Sequence, residues 1–243
     1  MSFLDSTPTG VPMPEVIYEK RGKIAYVTLN RPEAVNALNL QMHQQLWEVW
    51  EDFDADDSLQ LAIITGAGVD VFCAGADLKS HVPMWFENNR AGYPRDKLKD
   101  GIGTITRGLH RIYKPIIGAI NGCAVAGGLE IALACDIRMA SNKAMFGSLE
   151  VRRGYHHDDG GIVRMVNICG AGIALGMNLT GEAIDAQRAL QCNLVSRVVA
   201  QDKSLETAEA MAAIIGRCQA GTNIARIFTT PVGWISLSLS PQR

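Results

Sequence analysis

The side chains able to move protons or hold a metal gather in two stretches, INGCAVAGGLEIALACD (120–136) and FGSLEVRRGYHHDDGG (146–161). In the first, Gly127 and Gly128 open an apolar helix. A helix start presents unpaired N–H donors and the positive end of the dipole, a place for an anion or a developing oxyanion. Glu130 falls in the first turn of that helix. The dipole alone is worth only ~0.3–1 kcal/mol to such a carboxylate. The IALAC that follows is apolar enough to be buried, and a carboxylate that resists ionisation suits acid–base work. Glu150 stands in the second stretch after a small, semi-apolar run. Glutamates are exposed by default, so Glu150 gains chemical meaning only if the fold brings it to Glu130.

The run His156-His157-Asp158-Asp159 invites a metal. Neighbouring residues point to opposite faces in a strand and diverge by ~100° in a helix, so these four do not make a cage unaided. No H-x-x-x-H or H-E-x-x-H spacing supports one, and no metal site is expected. The plainer reading is that Asp158 or Asp159 caps a helix starting at Gly160, its carboxylate bonded to free N–H groups. A third stretch, FCAGADLK (72–79), runs a strand into Ala-Gly-Ala, whose side chains are too small to keep peptide N–H groups from a ligand. Asp77 and Lys79 follow as polar anchors. The bland alternative is a tight strand–helix turn.

These stretches need elements to hold them. EVIYEKRGKIAYVTLN alternates and reads as a hairpin around Arg21-Gly22. ALNLQMHQQLWEVWEDFDADD places Leu38, Met42, Leu46, Val49 and Phe53 at helical spacing, with Asn36 or Asn39 as cap. LQLAIITG (59–66) is a buried strand, and 70–79 is loop-like. GIGTITRGLHRIY reads as a helix ending before Pro115. PIIGAINGCAVAG is strand and turn, and IRMAS a short strand. A helix begins near Asp158 and runs to Gly170, followed by helical pieces at 171–179, 185–192 and 204–218. Strands alternating with helices on apolar runs predict an α/β fold with a largely parallel sheet. The segments 85–100 and 219–243 fit neither period.

The chain has 243 residues, 47% of them hydrophobic, enough for one sizeable core. The formal charge of −2 gives no basic face for nucleic acid. Six scattered cysteines without a C-x-x-C pair, and an N-terminus lacking the charged and apolar parts of a signal peptide, point to a reducing, cytoplasmic setting. No window approaches the ~20 apolar residues of a membrane helix.

Taken in order, NRPEAVNALN, FCAGADLK, NGCAVAGGLEIALACDIRMAS, FGSLEVRRG and LTGEAIDAQRALQCNLVSRVV resemble the crotonase superfamily, the enoyl-CoA hydratase/isomerase family. The resemblance covers roughly residues 16–215. It implies a spiral of ββα turns with a short C-terminal helical region, an acyl-CoA thioester substrate, no cofactor beyond the CoA moiety of that substrate, and a homotrimer or dimer of trimers. Residues 1–14, rich in Pro and Thr, read as a flexible arm; the resemblance implies a core domain at 15–200 and an atypical, short helical trimerisation region at 201–243. It places an oxyanion hole on the Ala76 and Gly127 N–H groups, and CoA along Ala34, Val35, Ala74, Asp77, Leu78 and Lys79. Glu130 and Glu150 match the two hydratase glutamates, which share one water: one carboxylate is base toward it, the other supplies the proton for C2.

The chain departs from the pattern in GYHHDDGG. Hydratases have an apolar-Pro-Gly-Ala-Gly-Gly stretch there, and Asp158 stands where a glycine borders the reaction centre. An acid at that offset resembles dienoyl-CoA isomerases, carnitinyl-CoA dehydratases and some acyl-CoA hydrolases. A histidine-assisted carbon–carbon hydrolysis occurs in another branch. The resemblance also fades after about Cys218, where relatives continue with helices that pack on the trimer. The expected function is hydration of a 2-enoyl-CoA by Glu130 and Glu150. The alternatives are a dienoyl- or polar-acyl-CoA isomerase or dehydratase using Glu150 and Asp158, and a non-catalytic acyl-CoA binder.

Overall fold

The computed structural model describes residues 14–87, 101–106, 112–157 and 159–218. The chain runs β1 (Val16–Arg21), β2 (Ile24–Leu29), α1 (Leu40–Ala55), β3 (Leu61–Gly66), β4 (Val71–Cys73), α2 (Leu78–Glu87), β5 (Ile116–Ile120), β6 (Cys123–Val125), α3 (Gly127–Ala134), β7 (Ile137–Ser141) and β8 (Met145–Gly147). It continues through α4 (Gly161–Cys169), α5 (Ala171–Thr180), β9 (Ile184–Asp185), α6 (Ala186–Gln191), β10 (Arg197–Val199) and α7 (Ser204–Cys218).

The strands form two sheets. One has the order β1-β2-β3-β5-β7-β10, the other β4-β6-β8-β9. Among the described residues only β1–β2 and β8–β9 pair antiparallel. In the pairs β3/β4, β5/β6 and β7/β8 the first strand joins the large sheet and the second the small one. Each winding thus adds one strand to each sheet, so the core lies between them. Alternation in β2 sends Ala25, Val27 and Leu29 inward, while β5 is buried along its whole length, as a central parallel strand is.

The hairpin, α1, β3, β7 and α5 to α7 form where the hydrophobic period puts them. Asn39 caps α1, accepting from Met42 N at 2.7 Å. Asn36 does not cap; with φ +53° it is buried and its amide ties Arg31, Ala67 and Val71 together. Leu38 precedes the helix and bridges to Ala76.

Three expectations are corrected. The loop-like 70–79 holds strand β4 and the start of α2. The helix expected over 101–113 is, in its described part, a 3-10 turn at Ile102–Thr104, broken by positive φ at Gly103 and Thr104; two glycines in GIGT make a continuous helix costly. Helix α4 begins at Gly161, not near Asp158, and its cap is Gly160 with no side-chain bond. Strands β8, β9 and β10 have at most three residues, too short for a period to show. The stretch 219–243 and most of 85–100 lie outside the described residues.

Candidate active site

Strands β4, β6 and β8 run parallel in the small sheet. Their C-terminal ends therefore fall on one edge, where open α/β sheets hold their ligands. The segments leaving that edge are the three that the sequence singles out: Ala74–Asp77 after β4, Ala126–Glu130 after β6, and Ser148–Glu150 after β8.

The first two touch. Gly75 has φ +88°, and a Cβ there would lie 2.7 Å from Gly127 N and 2.9 Å from Ala126 Cβ. Ala126 takes φ +53°, a left-handed conformation costly for alanine, and its N–H bonds Gly147 O on β8 at 2.9 Å. Neither the Ala76 nor the Gly127 N–H meets an acceptor among the described residues. Gly127 is the first residue of α3, so helix geometry leaves its N–H free.

The residues expected along CoA cluster beside this crossing. Ala74 N donates to Val35 O at 3.2 Å, and Leu38 N to Gly75 O at 2.8 Å. Asp77 is not a free anchor. Its carboxylate accepts from Lys79 N at the start of α2 and pairs with Arg31 at 3.1 Å. Arg31 also bonds Ala37 O and faces Glu15. Lys79 and Val35 are exposed, while Ala34, Ala74 and Leu78 are half-buried.

Glu130 and Glu150 converge, and both are buried. Glu130 Oε1 accepts from Asp159 N and Gly161 N, each at 3.0 Å. The glutamate thus binds the start of α4 in the way a capping side chain would. Asp159 does not cap. Its carboxylate accepts from Ile102 N at 2.6 Å, and its carbonyl from Arg164 at 2.9 Å. Asp158 lies outside the described residues.

His157 stands between the two glutamates with no side-chain surface exposed. Its Nδ1 is 2.9 Å from Glu150 Oε1 and 3.6 Å from Glu130 Oε2. Burial alone would push its pKa down, but the close approach of the Glu130 and Glu150 carboxylates outweighs it and raises it to about 9. One donor atom from each of Glu130, Glu150 and His157 lies within 4.8 Å of the others. The sequence raises both histidines without assigning a role to either. The one trace of His157's place is that Gly-Gly follows at 160–161: a Cβ on Gly161 would lie 2.8 Å from Glu130 Oε1 and 2.9 Å from the His157 ring. His156 only turns its ring to the His157 carbonyl, at 2.9 Å.

The family model described as enoyl-CoA hydratase/isomerase matches residues 19–229. The chain belongs to the enoyl-CoA hydratase/isomerase family. It is 43% identical to the (E)-benzylidenesuccinyl-CoA hydratase of Thauera aromatica over 76% of this chain and 69% of that protein. It is 39% identical to the short-chain-enoyl-CoA hydratase of Clostridium acetobutylicum, over 81% and 73%. The crystal structure of carnitinyl-CoA hydratase from Mycobacterium avium superposes with a TM-score of 0.76 at 36% identity, covering 86% of this chain and 77% of that one. The two-sheet winding is thus the crotonase fold that the sequence motifs imply.

Proposed function

We infer that the protein is an enoyl-CoA hydratase, adding water across the 2,3 double bond of an acyl-CoA thioester. The observation that carries this reading is the meeting of Glu130 and Glu150 beside the crossing of Gly75 with Gly127. The thioester oxygen lies on the Ala76 and Gly127 N–H groups, which stabilise it as it gains enolate charge. One carboxylate takes a proton from water while the water oxygen bonds C3. The C2=C3 electron pair moves toward the thioester oxygen, and C2 then receives a proton from the other carboxylate. CoA runs along Ala34, Val35, Ala74, Asp77, Leu78 and Lys79, and no other cofactor takes part.

We further propose a homotrimer or dimer of trimers in the cytoplasm. Val163, Leu175 and Leu179 on α4 and α5 are exposed apolar residues of the kind subunits bury, and the five described cysteines are free thiols. Among the described residues no helix is long and apolar enough to cross a membrane.

The decisive experiment mixes purified protein with crotonyl-CoA and follows loss of the conjugated thioester absorbance, with the product identified by mass. Gain of one water is expected, with Glu130→Gln and Glu150→Gln each lowering kcat by ~10²–10⁴-fold. Unchanged hydration by both variants would remove the two acids from the mechanism. An Asp158→Ala variant that alone abolishes turnover, on dienoyl or carnitinyl thioesters, would favour the isomerase or dehydratase reading.

A further inference from the structure

Addition of water leaves the site out of balance. The base has gained a proton, and the acid has given one to C2. Before the next turnover one proton must pass from the first carboxylate to the second. Glu130 Oε1 is engaged by two backbone N–H groups, leaving Oε2 as its working oxygen. Glu150 Oε2 has no hydrogen-bond partner among the described residues. Among the described residues, the one titratable side chain within reach of both carboxylates is His157, and a single atom, Nδ1, reaches both.

We propose that His157 is the proton-holding and positioning residue of this site, its Nδ1 joining Glu130 and Glu150 so that a proton taken up by one carboxylate is passed to the other. The inference rests on the hydratase reading and adds a residue to it. The transfer balances: Nδ1–H is given to one glutamate as the imidazolium becomes neutral, and Nδ1 recovers a proton from the other. No further reactant is needed. The same close approach sets Glu150 Oε1 against the ring and leaves Oε2 for chemistry.

The surroundings favour a protonated ring. Glu130 faces it from α3 and Glu150 from the 3-10 turn at Leu149–Arg153. Asp159 and Arg164 stand at the start of α4, where the Asp159 carboxylate is engaged by Ile102 N and Arg164 by the Asp159 carbonyl. His156 adjoins through the His157 carbonyl. Among the described residues the two carboxylates are thus the groups that act on the ring directly, and they hold its pKa near 9 against the effect of burial.

The test is His157→Asn, which keeps a donor near the Nδ1 position and holds no proton. With crotonyl-CoA the expected result is a fall in kcat of ~10²-fold, with KM changed less than about threefold. In the unaltered enzyme activity should fall as pH rises through about 9, and the variant should lack that limb. A variant with unchanged kcat, or with lower kcat but the same alkaline limb, overturns the proposal. Ring titration by NMR is read without turnover. A His157 ring titrating near 9, and moving down by a unit or more in Glu150→Gln, is expected; titration at or below the ordinary value of ~6.5 overturns the bridge. If no enoyl thioester is hydrated by the unaltered protein, the hydratase reading fails, and the NMR result alone decides whether the His157–Glu150 bridge stands.

Discussion

Gly161 N, the first donor of α4, lies 3.0 Å from Glu130 Oε1, so a carboxylate on α3 holds the start of a helix thirty-one positions later in the chain. This relationship couples the placement of a proposed acid to the absence of a side chain. A Cβ at Gly161 would lie 2.8 Å from that oxygen and 2.9 Å from His157 Cγ. Gly161→Ala should therefore displace both groups and lower kcat for crotonyl-CoA by ~10²-fold, the cost of misplacing a reacting group by about an ångström. Circular dichroism and kinetics on the same sample check this. Full activity in a folded variant would mean that Glu130 does not need its present position.

The crossing of the two loops makes a similar demand. Gly75 sits at φ +88° against Gly127 N. Gly75→Ala meets both strain and a backbone contact, and should push apart the Ala76 and Gly127 amides. Losing the alignment of one oxyanion donor costs ~10²–10³-fold in kcat. The measurement is kcat with crotonyl-CoA, with CoA binding by calorimetry as the control expected to change less.

Arg31 acts on the other side of the cleft. It links Asp77 and the Ala37 carbonyl, bracing the loop of Ala34 and Val35 against the start of α2. Arg31→Ala should raise KM for acyl-CoA several-fold with a smaller change in kcat, the mark of lost uniform binding. An unchanged KM would place CoA elsewhere.

Two buried histidines shape stability in opposite directions. His43 on α1 is held neutral, its pKa lowered to about 4 by burial and by the neighbouring His81. The unfolded chain then binds more protons than the native one between about 6.5 and 4, so stability should fall with pH across that window, by up to about 3 kcal/mol. His157, raised to about 9, stabilises fully below about 6.5 and loses that contribution as pH rises through 9. Denaturant melts from pH 4 to pH 10 check both limbs. His43→Gln should flatten the acid limb, and His157→Asn the alkaline one.

The sequence by itself determined the elements with strong periodicity. Met42, Leu46, Val49 and Phe53 define α1, alternation defines the hairpin, and FCAGADLK and GGLE mark two turns where backbone donors are left open. Motif order supplied the family and the pairing of Glu130 with Glu150, because side-chain types at fixed spacing survive in linear form. Tertiary structure decided the rest. Short strands such as β4, β8 and β10 form because parallel neighbours supply their hydrogen bonds. Asp159 looks like a cap and instead holds Ile102, since Glu130 takes the α4 donor first. His157 in HHDD looks like part of a metal run. Only the approach of α3 and the Leu149–Arg153 turn surrounds its ring with two carboxylates, and that contact is made across long chain separations that no local pattern encodes.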